Sequence, residues 1–440
     1  MNIYLTALGC KLNQAEIEAL ARRVAAAGHT VVADPTAADW AIANTCTVTH
    51  VADKKSRQLI RQLHRANPAM RIAVIGCYGE MSPAEAAQLA GVALVVPNRA
   101  KDEVLERLLA LCAGAPGEPP VGPPPLPHTR ALVKIQDGCD NRCSYCIVGI
   151  ARGPQRSRPP EDVLAEVRRR LAEGYRELVL TGVNIGAYGR DSAADGPLPP
   201  GSGWSLARLV RLVLAESAVP RLRVSSVEPW DVTPELLDLW LDARLCRHLH
   251  LPMQSGCNAT LRRMRRRNTC DQLSDVVRAA RQRIAELALT TDIIVGFPGE
   301  TDAEFAETLA CVDLLAPARL HVFVYSRRPG TAADALPDQV PAPVAQARSA
   351  ALIALGRRLA RAWHASYVGR EVEILCEQPR HTPAGLEWSG LTDNYIRVRL
   401  LHAGDLHNRL ARVLCTSADA QGLRGTLVTA DRQAGARPGL

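Results

Sequence analysis

The chain has 440 residues, 47% of them hydrophobic and 22% charged, the balance of a globular protein of roughly two to four domains. That composition excludes a collagen, a wholly disordered chain and a small disulfide scaffold. No apolar run approaches the ~18 residues that span a bilayer, and Met1–Thr6 places no basic segment ahead of an apolar one, so neither a membrane span nor a signal peptide is expected and the reading is cytoplasmic. The net charge of +8 is modest, and with lysine only at positions 11, 54, 55, 101 and 134 the excess is almost all arginine.

In chain order, Ile3–Leu8, Ala41–Asn44, Ile72–Ile75 and Leu94–Val96 read as buried strands. Ile17–Ala27, Val51–Ala66, Pro83–Leu89 and Asp102–Leu111 read as helices. The alternation predicts a parallel sheet covered by helices in a first domain, residues 1–114. Residues 115–128 hold seven prolines and read as a semi-rigid linker. A second domain, 129–365, repeats the pattern on a larger scale. Its strands are expected at Ala131–Gln136, Glu177–Thr181, Arg223–Ser226, His248–Pro252, Thr291–Gly296 and Leu320–Tyr325. Helices are expected at Glu161–Ala172, Ser205–Glu216 and Ala303–Leu315, with a surface loop at Asp195–Gly203. Six β/α units predict an open or partial barrel. A helix from Pro343 to Trp363 leads to a third domain, 366–432, whose short alternating strands predict a small β-barrel or sandwich. The fold class is α/β with a small β-barrel at the C-terminal end.

Thirteen cysteines, an odd number without a secretion signal, point to metal or catalysis rather than disulfides. Cys139, Cys143 and Cys146 share one loop directly after the first strand of the second domain. A zinc site needs a fourth ligand, and none stands nearby at ribbon spacing. Iron–sulfur clusters take four cysteines as a rule, so three leave one iron open. The carboxyl end of a barrel strand is where β/α barrels do chemistry. A chance cluster, or a zinc borrowing a distant ligand, are the alternatives. C-x3-C-x-aromatic-C resembles the radical S-adenosylmethionine motif, with Tyr145 in the aromatic slot. The resemblance implies a 4Fe-4S cluster whose open iron holds S-adenosylmethionine.

Cys10, Cys46 and Cys77 are far apart in sequence, but each follows an expected parallel strand. Carboxyl ends of parallel strands share one edge, so the three thiols can converge, and Gly9 and Gly76 permit close backbone approach. Three buried cysteines is the alternative. Both cysteine sets and the β-rich tail together resemble the methylthiotransferase family over essentially the whole chain. Further resemblance lies in Lys134–Cys139, Ala151–Gly153, Arg156–Arg158, Leu180–Asn184, Leu251–Gly256, Gly296–Thr301 and Tyr325–Ser326. The tail, with Thr392–Tyr395, resembles the family's RNA-binding TRAM barrel. Gly9–Asn13, Asp53–Gln58 and Gly76–Tyr78 resemble the branch acting on N6-threonylcarbamoyladenosine 37 of tRNA. The sibling branches act on isopentenyladenosine 37 or on an aspartate of a ribosomal protein.

The resemblance implies two 4Fe-4S clusters, an auxiliary one on Cys10, Cys46 and Cys77 and a radical-generating one on Cys139, Cys143 and Cys146. One S-adenosylmethionine would methylate a sulfur at the auxiliary cluster, and a second would be cleaved to start replacement of C–H by methylthio at carbon 2 of the adenine. By analogy the cofactor contacts are Thr181, Gly182, Gly296, Gly299 and Glu300, beside Tyr145, with Gln254 a weaker candidate. The partners implied are the anticodon loop of tRNA and an electron donor, not DNA or a membrane. The five arginines Arg262, Arg263, Arg265, Arg266 and Arg267, read as one dense helical run, suit RNA phosphates. Tyr395 and Trp388 suit base stacking, though core packing also explains them. His321, Glu228 and Asp292 are read as structural hydrogen-bonding residues. Cys112, Cys246, Cys257, Cys270, Cys311, Cys376 and Cys415 show no ligand spacing and read as packing residues. A non-enzymatic iron–sulfur RNA-binding protein is the remaining alternative, disfavoured by three-cysteine rather than four-cysteine sets.

Overall fold

The computed structural model describes residues 1–112, 129–191 and 198–430. The proline-rich segment and part of the 195–203 loop lie outside these.

Strands β1 (Asn2–Ala7), β2 (Thr30–Val32), β3 (Trp40–Thr45), β4 (Arg71–Gly76) and β5 (Val92–Val95) form a parallel sheet in the order β2-β1-β3-β4-β5. All of β3 is buried, as befits a central strand covered on both faces. Helices α1 (Lys11–Ala26), α2 (His50–Ala66), α3 (Cys77–Met81), α4 (Pro83–Ala87) and α5 (Val104–Ala110) supply the crossovers and cover. The register pairs Ala7 with Asn44 and Thr45 with Gly76. The ends of β1, β3 and β4 are therefore level with one another.

The next block has two three-stranded parallel sheets. The first is β6 (Arg130–Lys134), β9 (Glu177–Thr181) and β10 (Arg221–Val224). The second is β11 (His248–His250), β12 (Ala288–Val295) and β13 (Arg319–Val324). Parallel bridges Leu222–Leu245 and Ser226–His250 join them into a six-stranded partial barrel. Around it lie α6 (Val148–Arg152), α7 (Pro160–Ala172), α8 (Leu206–Glu216), α9 (Pro234–Asp238), α10 (Asn258–Arg263), α11 (Cys270–Arg283), α12 (Asp302–Leu315) and α13 (Ala342–Ala365). Strand alternation sends Leu178, Leu180, Leu222, Val224, Leu249, Leu289 and Ile293 into the helix-covered core. It leaves Glu177, Arg221, Arg223, His248, His250, Thr290, Asp292 and His321 on the inner face. The open side of the barrel meets α1, where Ala15 packs on Leu132 and Val179.

The tail is a closed antiparallel-rich barrel of β14 (Glu371–Cys376), β15 (Arg380–Thr382), β16 (Gly385–Thr392), β17 (Arg397–Leu401), β18 (Leu410–Asp419) and β19 (Gly422–Ala430), with β14 pairing β16 to close it. Trp388 is a core residue here, 2% exposed, with its indole N–H donating to the His402 carbonyl.

Among the elements that escape the sequence expectations are the edge strand β2, the short helices α3, α6 and α9, and helix α11. Helix α11 starts on a capping box, Thr269 with Gln272, a signature legible in sequence. The arginine run is not one helix. Helix α10 ends at Arg263 and Arg265 turns to φ +55. A buried Met264 packs inward, which breaks the charged face.

Candidate metal centres

Cys10 caps the N-terminus of α1, Cys46 follows β3 and Cys77 opens α3 after β4. Neighbouring strand ends thus bring the three thiols to one edge. A Cβ on Gly9 would lie 2.7 Å from the Cys46 Cβ and 2.9 Å from its sulfur, and Gly9 has φ +104, so only glycine lets the Cys10 turn approach this closely. Gly76 is equally constrained, with φ +90 and a virtual Cβ 2.4 Å from the Thr45 carbonyl. Asn13 fixes the turn, its amide donating to the carbonyls of Leu8 (2.8 Å) and Thr45 (3.1 Å). Ser56 holds the other side, donating to the Cys46 carbonyl at 2.8 Å and accepting from its N–H at 3.2 Å. Burial, with the neighbouring thiols, pushes the Cys46 thiol up to about 11. Cys77 is raised by burial too, against the lowering effect of Arg152. Three soft sulfur donors with a cation nearby suit an iron–sulfur cluster, whose binding expels the thiol protons.

The second set sits in a hairpin between β7 (Gln136–Asp137) and β8 (Arg156–Ser157), with Cys139, Cys143 and Cys146 in the loop ahead of α6. Gly138, at φ +69, has a virtual Cβ 1.9 Å from the Pro154 carbonyl. Ser144 anchors the loop: its N–H donates to the Met264 carbonyl (3.0 Å), its hydroxyl to that of Arg263 (2.8 Å), and its carbonyl accepts from Ala333 (2.7 Å). Tyr145 packs edge-on against Phe297, ring centroids 6.5 Å apart. Burial, with Cys143 and Cys139 close by, pushes the Cys146 thiol up to about 12. The cysteines line an open recess of about 700 Å³ with Arg142, Arg265 and Gly330. Three converging thiols beside a solvent-open recess fit a cluster that keeps one position for another ligand.

A buried charge cluster joins the two sets. Glu16 meets Lys101 (2.5 Å), Lys134 (3.0 Å) and Arg152 (3.0 Å), and Asp137 meets the same three cations at 2.6, 2.8 and 2.8 Å. Burial opposes both carboxylates, but Lys134, Arg152 and Lys101 outweigh it and hold them well below the usual range. Arg152 also donates to the Asn13 side chain at 2.6 Å. Asn98 donates to the Ala151 carbonyl at 2.7 Å and approaches the Cys77 sulfur at 3.7 Å. A second tie comes from Arg328, which reaches Asp53 (2.6 Å) and the Thr47 hydroxyl (2.7 Å).

The remaining expected cofactor residues divide. Thr181 ends β9 and Gly182 abuts Gln136, a virtual Cβ lying 2.8 Å from its carbonyl. Gln136 is a residue the sequence reading missed. Its Oε1 accepts from Val183 and Asn184 (3.0 and 2.8 Å) while its Nε2 donates to the Asp137 and Gly138 carbonyls (2.9 and 2.8 Å). It thereby staples the cysteine hairpin to the Thr181–Asn184 turn. Gln254 has φ +66 and bridges to β12, its N–H donating to Asp292 and its carbonyl accepting from Ile294. Gly296 and Gly299, both at positive φ, crowd Ala345 and Arg263. Glu300, expected as a cofactor contact, has a side chain 1% exposed, accepting from Gly296 N–H at 2.7 Å and pairing with Arg348 at 2.8 Å. It braces the loop.

The arginines also divide. Arg262, Arg265 and Arg267 are exposed. Arg263 is held by Glu304 (3.0 Å) and the Pro298 carbonyl (3.1 Å). Arg266, expected at RNA, is turned inward: its side chain is 1% exposed, pairs with Glu228, lies 4.6 Å over Trp230 and brings Nη1 to 3.8 Å from the Cys143 sulfur. Tyr395 is likewise engaged inside the protein. At φ +70 it stacks on His248, centroids 4.5 Å apart, under Arg223 at 5.1 Å. His321 and His250 both hydrogen-bond the Asp292 carboxylate, at 2.9 and 3.2 Å. Among the other cysteines, Cys270 and Cys311 hydrogen-bond each other, while Cys246, Cys257, Cys376 and Cys415 are buried and Cys112 is partly so.

Residues 133–312 match the Radical SAM superfamily and residues 2–97 match the uncharacterized protein family UPF0004. The chain is 37% identical to the threonylcarbamoyladenosine tRNA methylthiotransferase MtaB of Bacillus subtilis, over 92% of each chain. It is 36% identical to the tRNA-2-methylthio-N(6)-dimethylallyladenosine synthase of Acidothermus cellulolyticus, over 83% of this chain and 76% of the other. In fold it is similar to the radical S-adenosylmethionine methyltransferase TsrM of Kitasatospora setae, with TM-score 0.55, 16% identity, and 76% and 74% of the two chains covered.

Proposed function

Because this chain belongs to the methylthiotransferase family of radical S-adenosylmethionine enzymes, we propose that it adds a methylthio group to carbon 2 of N6-threonylcarbamoyladenosine 37 in tRNA. The observation that carries the reading is the pair of three-cysteine sets, each short of a fourth ligand and linked through Asn13, Asn98 and Arg152. Relatives from three organisms carrying the threonylcarbamoyladenosine name, at 34–37% identity, support the substrate. The reading includes two 4Fe-4S clusters, S-adenosylmethionine, an electron donor, the tRNA anticodon loop as partner and a cytoplasmic site.

Cys139, Cys143 and Cys146 would hold one cluster and Cys10, Cys46 and Cys77 the other. Bound there, the first would supply an electron to cleave S-adenosylmethionine and the second would hold the sulfur that is methylated. The protein's own residues shape and shield. Arg266 sets a cation beside the Cys143 sulfur. Tyr145 packs the loop onto the fully buried Phe297. Gln136 fixes the Thr181–Gly182 turn at the height of the cysteine loop, where the cofactor is expected. Arg265 and Arg142, at the rim of the recess, give an incoming phosphate backbone two cations.

Nucleoside mass spectrometry of tRNA from a deletion strain tests the substrate. The methylthio derivative of threonylcarbamoyladenosine should disappear while that of the dimethylallyl nucleoside stays. The reverse outcome would establish the sibling reading, which the 36% identity to a dimethylallyladenosine synthase favours. Persistence of both in a strain without a second enzyme would refute the proposal.

A further inference from the structure

Strand β13 runs up to both cysteine sets. Just past its carboxyl end, the Ser326 hydroxyl accepts from the His50 N–H at 3.1 Å, and Arg328 holds Thr47 and Asp53. This end is thereby tied to the chain that follows Cys46. Tyr325 packs on Phe297, ring centroids 5.3 Å apart, and Phe297 in turn packs on Tyr145 of the second cysteine loop. The strand therefore ends between the two sets.

Its two faces differ. Leu320, Val322 and Val324 pack into the helix-covered core, with Gly356 of α13 against Leu320. Alternation turns His321 and Phe323 to the inside of the barrel. Barrel interiors are ordinarily filled by their own side chains. Here Phe323 is 46% exposed and the His321 side chain 35%. An apolar ring left open on an inner wall, beside a fixed polar group, has the make-up of a ligand site. The imidazole is fixed through Nδ1, which donates to the Asp292 carboxylate at 2.9 Å. His250 reaches the same carboxylate at 3.2 Å and sets its own Nδ1 2.8 Å from the Thr290 hydroxyl. Burial opposes ionisation of Asp292, but the hydrogen bonds from both histidines outweigh it and hold the carboxyl below its usual range. The His321 Nε2 has no hydrogen-bond partner among the described residues.

We propose that this wall is the seat of the target nucleoside, with the adenine ring stacked on Phe323 and the polar N6 arm meeting Nε2 of His321. This rests on the function proposed above. Phe323 lies two residues before Tyr325, about 7 Å along the strand, so a base resting on it sits just below the level of the two cysteine sets. Thr181 and Gly182, where the cofactor is expected, end β9 in the other sheet. Carbon 2 and the N6 substituent flank N1 on one edge of adenine. A base that turns carbon 2 to the clusters therefore carries its arm along the same wall. A threonylcarbamoyl arm brings a hydroxyl and a carboxylate, either of which can bond an imidazole nitrogen. A dimethylallyl arm has neither and leaves His321 unmatched, which is how a polar site rejects an apolar analogue.

The test uses reconstituted holoenzyme and two anticodon stem-loops, one with a threonylcarbamoyl and one with a dimethylallyl group on the target adenine. Wild type should favour the first in kcat/KM and in equilibrium binding. Phe323→Ala should weaken both stem-loops by about 10- to 100-fold, the range of one base–aromatic stack, and Phe323→Tyr should restore them. His321→Phe should cost the threonylcarbamoyl stem-loop about 10-fold and spare the dimethylallyl one. Iron content, and the 5′-deoxyadenosine formed without RNA on reduction with dithionite, should be those of wild type in every variant. An unchanged preference in His321→Phe, or unchanged binding and kcat/KM in Phe323→Ala, overturns the proposal. So does a Phe323→Ala protein with full iron that no longer forms 5′-deoxyadenosine without RNA, since the ring then serves the cofactor. Should wild type methylthiolate neither stem-loop, the reading of function fails, and the binding comparison between wild type and variants still decides the seat.

Discussion

Single residues decide whether each cysteine set can hold a metal. Asn13 is the clearest case, since its amide joins the turn before Cys10 to the residue before Cys46. Asn13→Ala removes the bonds to the Leu8 and Thr45 carbonyls and the one accepted from Arg152, at about 1–3 kcal/mol where a partner is left unsatisfied. Iron per chain should fall from about eight toward about four, with 5′-deoxyadenosine still formed on reduction with dithionite. Changing Cys139, Cys143 and Cys146 together to Ala should also halve the iron but abolish 5′-deoxyadenosine. An unchanged iron content in either protein would refute the assignment. Arg266 gives the complementary case. Arg266→Met strands the Glu228 carboxylate, for about 3–5 kcal/mol if fully felt, and should cost the iron of the second set as read by the same assay.

At the scale of elements, the α/β alternation, the six barrel strands and the small barrel were legible because each strand is an apolar run bounded by glycine, proline or charge. Convergence of Cys10, Cys46 and Cys77 was legible for a topological reason: parallel strands put their carboxyl ends on one edge. What was not legible are the long-range partners. Nothing in the spacing of Glu16, Lys101, Asp137 and Arg152 shows that they meet, and the staple made by Gln136 has no sequence signature. The arginine run misled because density of charge hides the one apolar residue, Met264, that turns the chain. The hairpin that carries the second cysteine set makes its own prediction. Gly138→Ala forces a methyl into the Pro154 carbonyl at a backbone angle alanine avoids, a cost on the order of 1–3 kcal/mol or more. The variant should fold, as judged by circular dichroism, but reconstitute only one cluster.

Across the whole molecule, the tail barrel is fastened to the central barrel through Glu177, Arg221 and Arg223. Burial pushes the Glu177 carboxyl up, but Arg223 and Arg221 outweigh it and hold it at about 2, below the ordinary 4.5. A depressed carboxyl contributes stability above its unfolded pKa and loses it as pH falls through the folded one. Glu177→Gln should therefore lower Tm at pH 7, and the gap from wild type should narrow as pH falls below about 4.5. A gap constant with pH would show that the ion pairs are not what holds the tail. The exposed arginines act at the same scale. Replacing Arg262, Arg265 and Arg267 with Ala should weaken tRNA binding and flatten its dependence on salt, by about one unit of log–log slope for each phosphate they neutralise.

The stretch 391–395 clasps the first residues of β10 and β11: Arg221 donates to the Leu391 carbonyl and Tyr395 stacks on His248. The cysteine loop, in contrast, leaves from beyond the far end of β6, two strands from β10 in the same sheet. A five-residue strand separates the two levels by about 17 Å. With both ends pinned, the protein is a calliper of fixed gape. On the function proposed above, an RNA held by the tail would bring to the cysteine loop only a base at a set distance from that hold, so the choice of nucleotide would be partly a measurement of length.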